Sequence, residues 1–219
     1  MGLLTAILLR YWTERDENFE TIITDLRAGS VVPDRIVLWD QSDAPPLDLD
    51  VDTIRSPVNF GIQAVYSVAT LFPGDSFLFL DDDLTVGPRT VECLQRYACP
   101  TRVVGMRGLF GDWPNNRVWP DHDFRSEQLD VLVPCDWLIG RITLIGWQAI
   151  LRYLTVAAKF TDPFCEDTVM GAVNDCIIVP ANSDEMYRDL DECGVGLEHV
   201  DDDSYYAMRY RTLRTLADL

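Results

Sequence analysis

Residues 77–88 read FLFLDDDLTVGP, four apolar side chains running directly into three adjacent aspartates. An apolar run without polar alternation marks a strand buried on both faces, as in the middle of a parallel sheet. Three successive carboxylates at its end repel one another unless a cation or a hydrogen-bond network offsets the repulsion. The stretch therefore predicts a central strand whose carboxyl end opens onto a polar edge that attracts cations.

The flanking sequence supports this placement. Leu3 to Leu9 is a short apolar run ending at Arg10, and Asp16 to Ala28 carries apolar residues at 19, 22, 23 and 26 before Gly29. This pattern reads as strand, amphipathic helix and glycine stop. RIVLWD at 35–40 is a second strand, the Pro/Asp-rich QSDAPPLDLD is loop, and VDTIRSPVNFG holds a short third strand and a turn. Gly61 to Leu71 predicts a helix leading into FLFL, a further helix runs to about Tyr97, and RVVGM is another strand. Alternating strands and helices predict an α/β fold, a mainly parallel sheet with helices on both faces. Ligands of such sheets collect outside the carboxyl ends of the strands, where Arg10, Asp40 and Asp81 to Asp83 would emerge together. Gly108 to Asp130, with its glycines, proline, asparagines and Trp113 and Trp119, predicts a long loop bordering the site. With no repeat or linker visible, residues 1–219 form one predicted domain.

Composition narrows the function. The chain has 219 residues, of which 47% are hydrophobic, enough for a sizeable core, and its formal net charge is −18. Such a surface repels nucleic acid and anionic membrane. Six cysteines without CxxC spacing and two histidines, 122 and 199, argue against structural zinc and for reduced core thiols. GLLTAILL is too short for a membrane span and lacks the flanks of a signal peptide, so the expected setting is the cytoplasm, or the host's cytoplasm for a viral protein.

Hard divalent cations take oxygen ligands, and magnesium or manganese often combines one or two carboxylates with substrate phosphates. FLFLDDD resembles the DxD motif of GT-A fold glycosyltransferases. PFCEDTVMGAVN at 163–174 is similar to their later Glu-Asp motif, above all to the CED followed by methionine of the exostosin-like family 64 enzymes. WDQSD after the second strand and NFG before the helix are similar to the layout of family 2 glycosyltransferases. The likeness covers nearly the whole chain in element order and only these short motifs in sequence.

The resemblance implies a GT-A (Rossmann-like) fold, with a nucleotide-sugar-binding half at 1–107 and an acceptor and catalytic half at 108–219. It implies transfer of a sugar from a nucleotide-diphosphate sugar, UDP-linked by preference, to a hydroxyl acceptor with the help of Mn2+ or Mg2+. Asp81, Asp83 and His199 would serve the metal. Arg10, Tyr11, Asp40, Asn59, Asp82 and Arg209 would surround the donor, and Trp137 and Gly140 would line the acceptor and sugar pocket. Glu166 and Asp167 would be catalytic. Asp162-Pro163 reads as a helix start. On that helix Cys165, Val169, Ala172, Val173 and Cys176 would share an apolar face opposite Asp167, Gly171 and Asn174.

The negative charge favours a neutral glycan or small-molecule acceptor, with a modified nucleic-acid base as the other candidate. DDDLTV also fits the DxDx[TV] motif of haloacid-dehalogenase-like phosphatases, although that family needs a downstream lysine and this chain has only Lys159. A non-catalytic acidic binding module would instead spread its acids over a face.

Overall fold

The computed structural model describes residues 2–56, 58, 60, 62–112, 117–139, 141–159, 166–181, 185–190 and 212. Strands β1 (Leu4–Arg10), β2 (Arg35–Asp40), β3 (Asp52–Arg55) and β4 (Ser76–Leu80) are joined in parallel in the order β3-β2-β1-β4. Every residue of β1 is buried, because the sheet is covered on both sides. Alternate residues serve the two faces. Ala6, Leu8, Leu78 and Leu80 join Phe19, Ile22 and Leu26 of α1 (Asn18–Ala28) and Val91 and Leu94 of α2 (Thr90–Tyr97). Ile7, Leu9, Phe77 and Phe79 join residues of the segment 62–71, of α3 (Trp147–Ala157) and of α4 (Glu166–Val173).

The remaining described strands are β5 (Leu84–Val86), β6 (Arg102–Gly105), β7 (Arg107–Asp112), β8 (Arg117–Arg125), β9 (Val133–Cys135), β10 (Trp137–Leu138), β11 (Ile142–Gly146), β12 (Asp175–Ile178) and β13 (Tyr187–Asp189). The main sheet continues from β4 as β11-β6-β12-β9. Only β12 and β6 pair in parallel in this half, whereas β11 runs antiparallel to both β4 and β6. That reversal places the start of β11 beside the end of β4, with Ile142 opposite Leu80.

Three expectations need refinement or correction. The helix expected over Gly61 to Leu71 is present at Ile62–Leu71, but it is wound as a 3₁₀ helix. Its three-residue turn aligns Val65 with Val68 and Tyr66 with Ala69, all four buried. Residues 108–130 are largely not loop: β7 and β8 form a hairpin extended by β10 into a three-stranded sheet. The register jumps between Leu109 opposite Asp123 and Gly111 opposite Val118, so residues 119–122 face a single residue of β7. Pro120 lies in this bulge, where no ladder hydrogen bond is required of it.

The last correction concerns α4. Cys176 belongs to β12, and Ala172 is exposed while Met170 is buried. Asn174 ends the helix, its side-chain amide donating to the carbonyls of Met170 and Ala149. The face shared by Asp167 and Gly171 is a buried one that packs on β10. A Cβ at Gly171 would overlap the backbone of Asp136 and Trp137. Gly171→Ala is therefore expected to lower stability by about 1–3 kcal/mol, through overpacking that outweighs the gain in helix propensity. Urea denaturation measures it, and a parent-like midpoint would mean that α4 lifts off β10 freely.

Candidate active site

The acidic turn sits where β4 leaves the sheet. Asp81 N–H donates to the Arg141 carbonyl at 3.1 Å, which ties the turn to the start of β11. Asp82 is buried: Oδ1 receives Arg15 Nη1 at 2.5 Å, and Oδ2 accepts no hydrogen bond among the described residues. Asp83 is partly buried and lies between two arginines, with Arg15 Nη1 at 3.5 Å and Arg141 Nη2 at 3.3 Å. Asn18 Nδ2, at the start of α1, donates to the Asp82 carbonyl at 2.8 Å and so ties that helix to the turn. Burial, then Asp83 and Asp82, and to a lesser degree Glu166, push the Asp81 carboxyl well above its usual range despite Arg141.

The same electrostatics connect α4 to this edge. Burial raises the Tyr11 phenol, followed by Glu166, with Asp81 and Asp82 contributing and a hydrogen bond with Gln41 opposing. Tyr66 and Tyr153 stack edge to face at 4.9 Å, and burial together with Glu166 and Asp167 raises both phenols. Asp167 is 5% exposed and its Oδ1 accepts from the Thr168 amide at 2.6 Å and hydroxyl at 3.2 Å. Carboxylates in the first turn also face the positive end of the helix dipole. The fold thus sets Tyr11, just after β1, and Asp81, just after β4, within electrostatic reach of Glu166 at the start of α4, while the neighbouring Asp167 acts on Tyr66 and Tyr153.

Two predicted donor residues have a different place. Arg10 is 1% exposed: Nε and Nη2 donate to Asp16 at 2.7 and 2.6 Å, and Nη1 donates to Asp40 at 2.9 Å and the Pro45 carbonyl at 3.1 Å. Asp40 has no exposed surface and accepts from Arg10, from Arg55 Nε, and from the Ser42 amide and hydroxyl. Burial alone would raise the Asp40 carboxyl, but Ser42 and Arg10 outweigh it and hold it below the ordinary range. In this conformation both residues order the strand ends and present no open group to a ligand.

Trp137 is 1% exposed beneath Gly171 and stands in the core rather than on an open wall. Asn59, Gly140, His199 and Arg209 lie outside the described residues, as do Trp113, Asp162 and Cys165. The side chains of residues 117–124, including Trp119, are also undescribed. Sequence reasoning missed Arg15, Arg141, Gln41, Tyr66 and Tyr153. Arg15 and Arg141 follow no motif, and their positions depend on pairings between distant segments.

Among the described residues no group of three histidine, cysteine, aspartate or glutamate side chains is arranged to enclose a metal ion. The turn nevertheless fits a hard divalent cation in chemistry. Its donors are carboxylate oxygens, its acids outnumber the arginines facing them, and Asp82 Oδ2 is buried without a described donor.

No family model matches the sequence, and no curated protein matches it. Solved structures do. GalNAc-T7 with UDP, GalNAc and Mn2+ aligns over 98% of this chain and 48% of its own, with a TM-score of 0.60 at 11% identity. The fold is that of the GT-A glycosyltransferases. S. aureus TarS 1–349 in complex with UDP-GlcNAc aligns over 98% of this chain and 66% of its own, with a TM-score of 0.60 at 12% identity. TarS 1–349 alone covers 86% and 60%, with a TM-score of 0.54 at 14% identity. The chain spans about half to two thirds of these proteins. In this GT-A fold the acidic turn follows β4, the fourth strand of the chain.

Proposed function

We propose that the protein transfers a sugar from a nucleotide-diphosphate sugar, UDP-linked by preference, to an acceptor hydroxyl with the aid of a divalent cation. The observation that carries this reading is the acidic turn directly after β4 in a GT-A fold, with Glu166 at the start of α4 within electrostatic reach of Asp81. The neighbours' UDP, UDP-GlcNAc and Mn2+ agree with it.

Asp81 and Asp83 would hold the cation, with His199 as a further candidate. When bound, the cation would neutralise charge on the departing diphosphate. Tyr11, at the end of β1 and hydrogen-bonded with Gln41, borders the nucleotide. In an inverting transfer Asp167 takes the proton of the acceptor hydroxyl; in a retaining transfer it stabilises the oxocarbenium-like charge on the sugar. Residues 108–219 supply the acceptor side. A formal net charge of −18 favours a neutral glycan or small molecule there.

Thermal shift against a panel of nucleotide sugars, with and without Mn2+, tests the reading, since a cognate ligand stabilises the folded state by mass action. The expected result is a melting-point rise with a UDP-sugar that needs the metal and is lost in Asp83→Asn. Asp83→Asn binding donor and Mn2+ like the parent would remove Asp83 from the metal site. No shift with any donor would remove the reading itself.

A further inference from the structure

We infer that Arg141 is an internal counter-cation of the acidic turn, which the divalent cation must displace from Asp83, so that Arg141 sets the cation affinity of the site. The inference rests on the cation-assisted reading above.

The two arginines at the turn are held differently. Arg15 is buried and bound to Asp82 at 2.5 Å, with Asp83 a more distant partner at 3.5 Å. The Arg141 side chain is 23% exposed and bridges two acids, Asp83 at 3.3 Å and Asp189 at 2.8 Å. Its guanidinium lies 6.0 Å from the centre of the Tyr187 ring.

Asp189 is in place because β13 pairs antiparallel with β5, directly after the turn, and the next residue, Leu190, donates its N–H to the Asp83 carbonyl at 2.7 Å. Arg141 can therefore release Asp83 and keep its shorter contact with Asp189. A dication and a guanidinium on one carboxylate repel each other, so the resting Arg141–Asp83 pair opposes cation entry. Asp189 offsets this by drawing the guanidinium aside.

Mn2+ titration by calorimetry, without nucleotide sugar, reads this directly. Arg141→Gln is expected to bind Mn2+ roughly tenfold more tightly than the parent, through loss of one positive charge close to the ion. Arg141→Lys keeps that charge and should stay near the parent. Asp189→Asn should bind a few-fold more weakly, because the guanidinium then falls wholly to Asp83. Its side chain is 60% exposed, so this variant carries the test even if Arg141→Gln folds poorly. Equal or weaker binding by folded Arg141→Gln, or unchanged binding by Asp189→Asn, overturns the inference while parent binding leaves the cation reading intact. A parent that binds no Mn2+ removes the cation reading and the inference with it.

Discussion

Asp167→Asn is expected to lower turnover by roughly 10²–10⁴-fold, the usual loss when a general base is removed, while donor and Mn2+ affinities stay close to the parent's. The change is nearly isosteric, and the amide oxygen can keep accepting from the Thr168 amide and hydroxyl, which Asp167 Oδ1 now does at 2.6 and 3.2 Å. Lost activity would then report the missing charge rather than a displaced helix. Calorimetry for donor binding, circular dichroism for folding and single-turnover kinetics for the chemical step separate these effects. Full activity in Asp167→Asn would reduce this acid to a partner of the helix dipole.

Arg10→Met is expected to cost about 3–5 kcal/mol of stability, the range for breaking a buried ion pair by removing one partner. The reason is Asp40, which has no exposed surface and would keep only Ser42 and Arg55. Because the Asp40 carboxyl is held below its ordinary value, its contribution is fully present above the unfolded carboxylate range. It is lost as pH falls through the depressed folded value. The parent should therefore lose stability on acidification, and the variant should lose less. Urea denaturation across the acid range measures both. A stable Arg10→Met variant with weakened donor binding would return Arg10 to the nucleotide site.

How much of this was legible in the sequence depended on the range of the interaction. FLFL placed β4 in the middle of a covered sheet, since a run apolar on both faces needs no knowledge of its partners. RIVLWD matched β2 residue for residue, and Gly29 marked the end of α1. Asp81 to Asp83 and Glu166-Asp167 stood out because acids at element ends are local patterns. The β7–β8 hairpin was read as loop because its strands are interrupted by glycine and proline, which a bulge and pairing with β10 accommodate. Trp137 was expected to line the acceptor and sugar pocket because its burial depends on what packs over it, here Gly171 of α4.

The sequence by itself determined which segments are buried strands, where the acids sit along the chain, and that the surface is strongly negative. These follow from side-chain chemistry and short periodicities. Only the tertiary structure decided which charges face one another. The antiparallel entry of β11 beside β4 brings Arg141 to Asp81 and Asp83, and pairing of β13 with β5 brings Asp189 to Arg141. The turn after β1 delivers Arg15 to Asp82, while Arg10 and Asp40, which looked free to meet a ligand, neutralise each other in the core. Strand direction and order depend on contacts between residues far apart in the chain, and no local pattern encodes them.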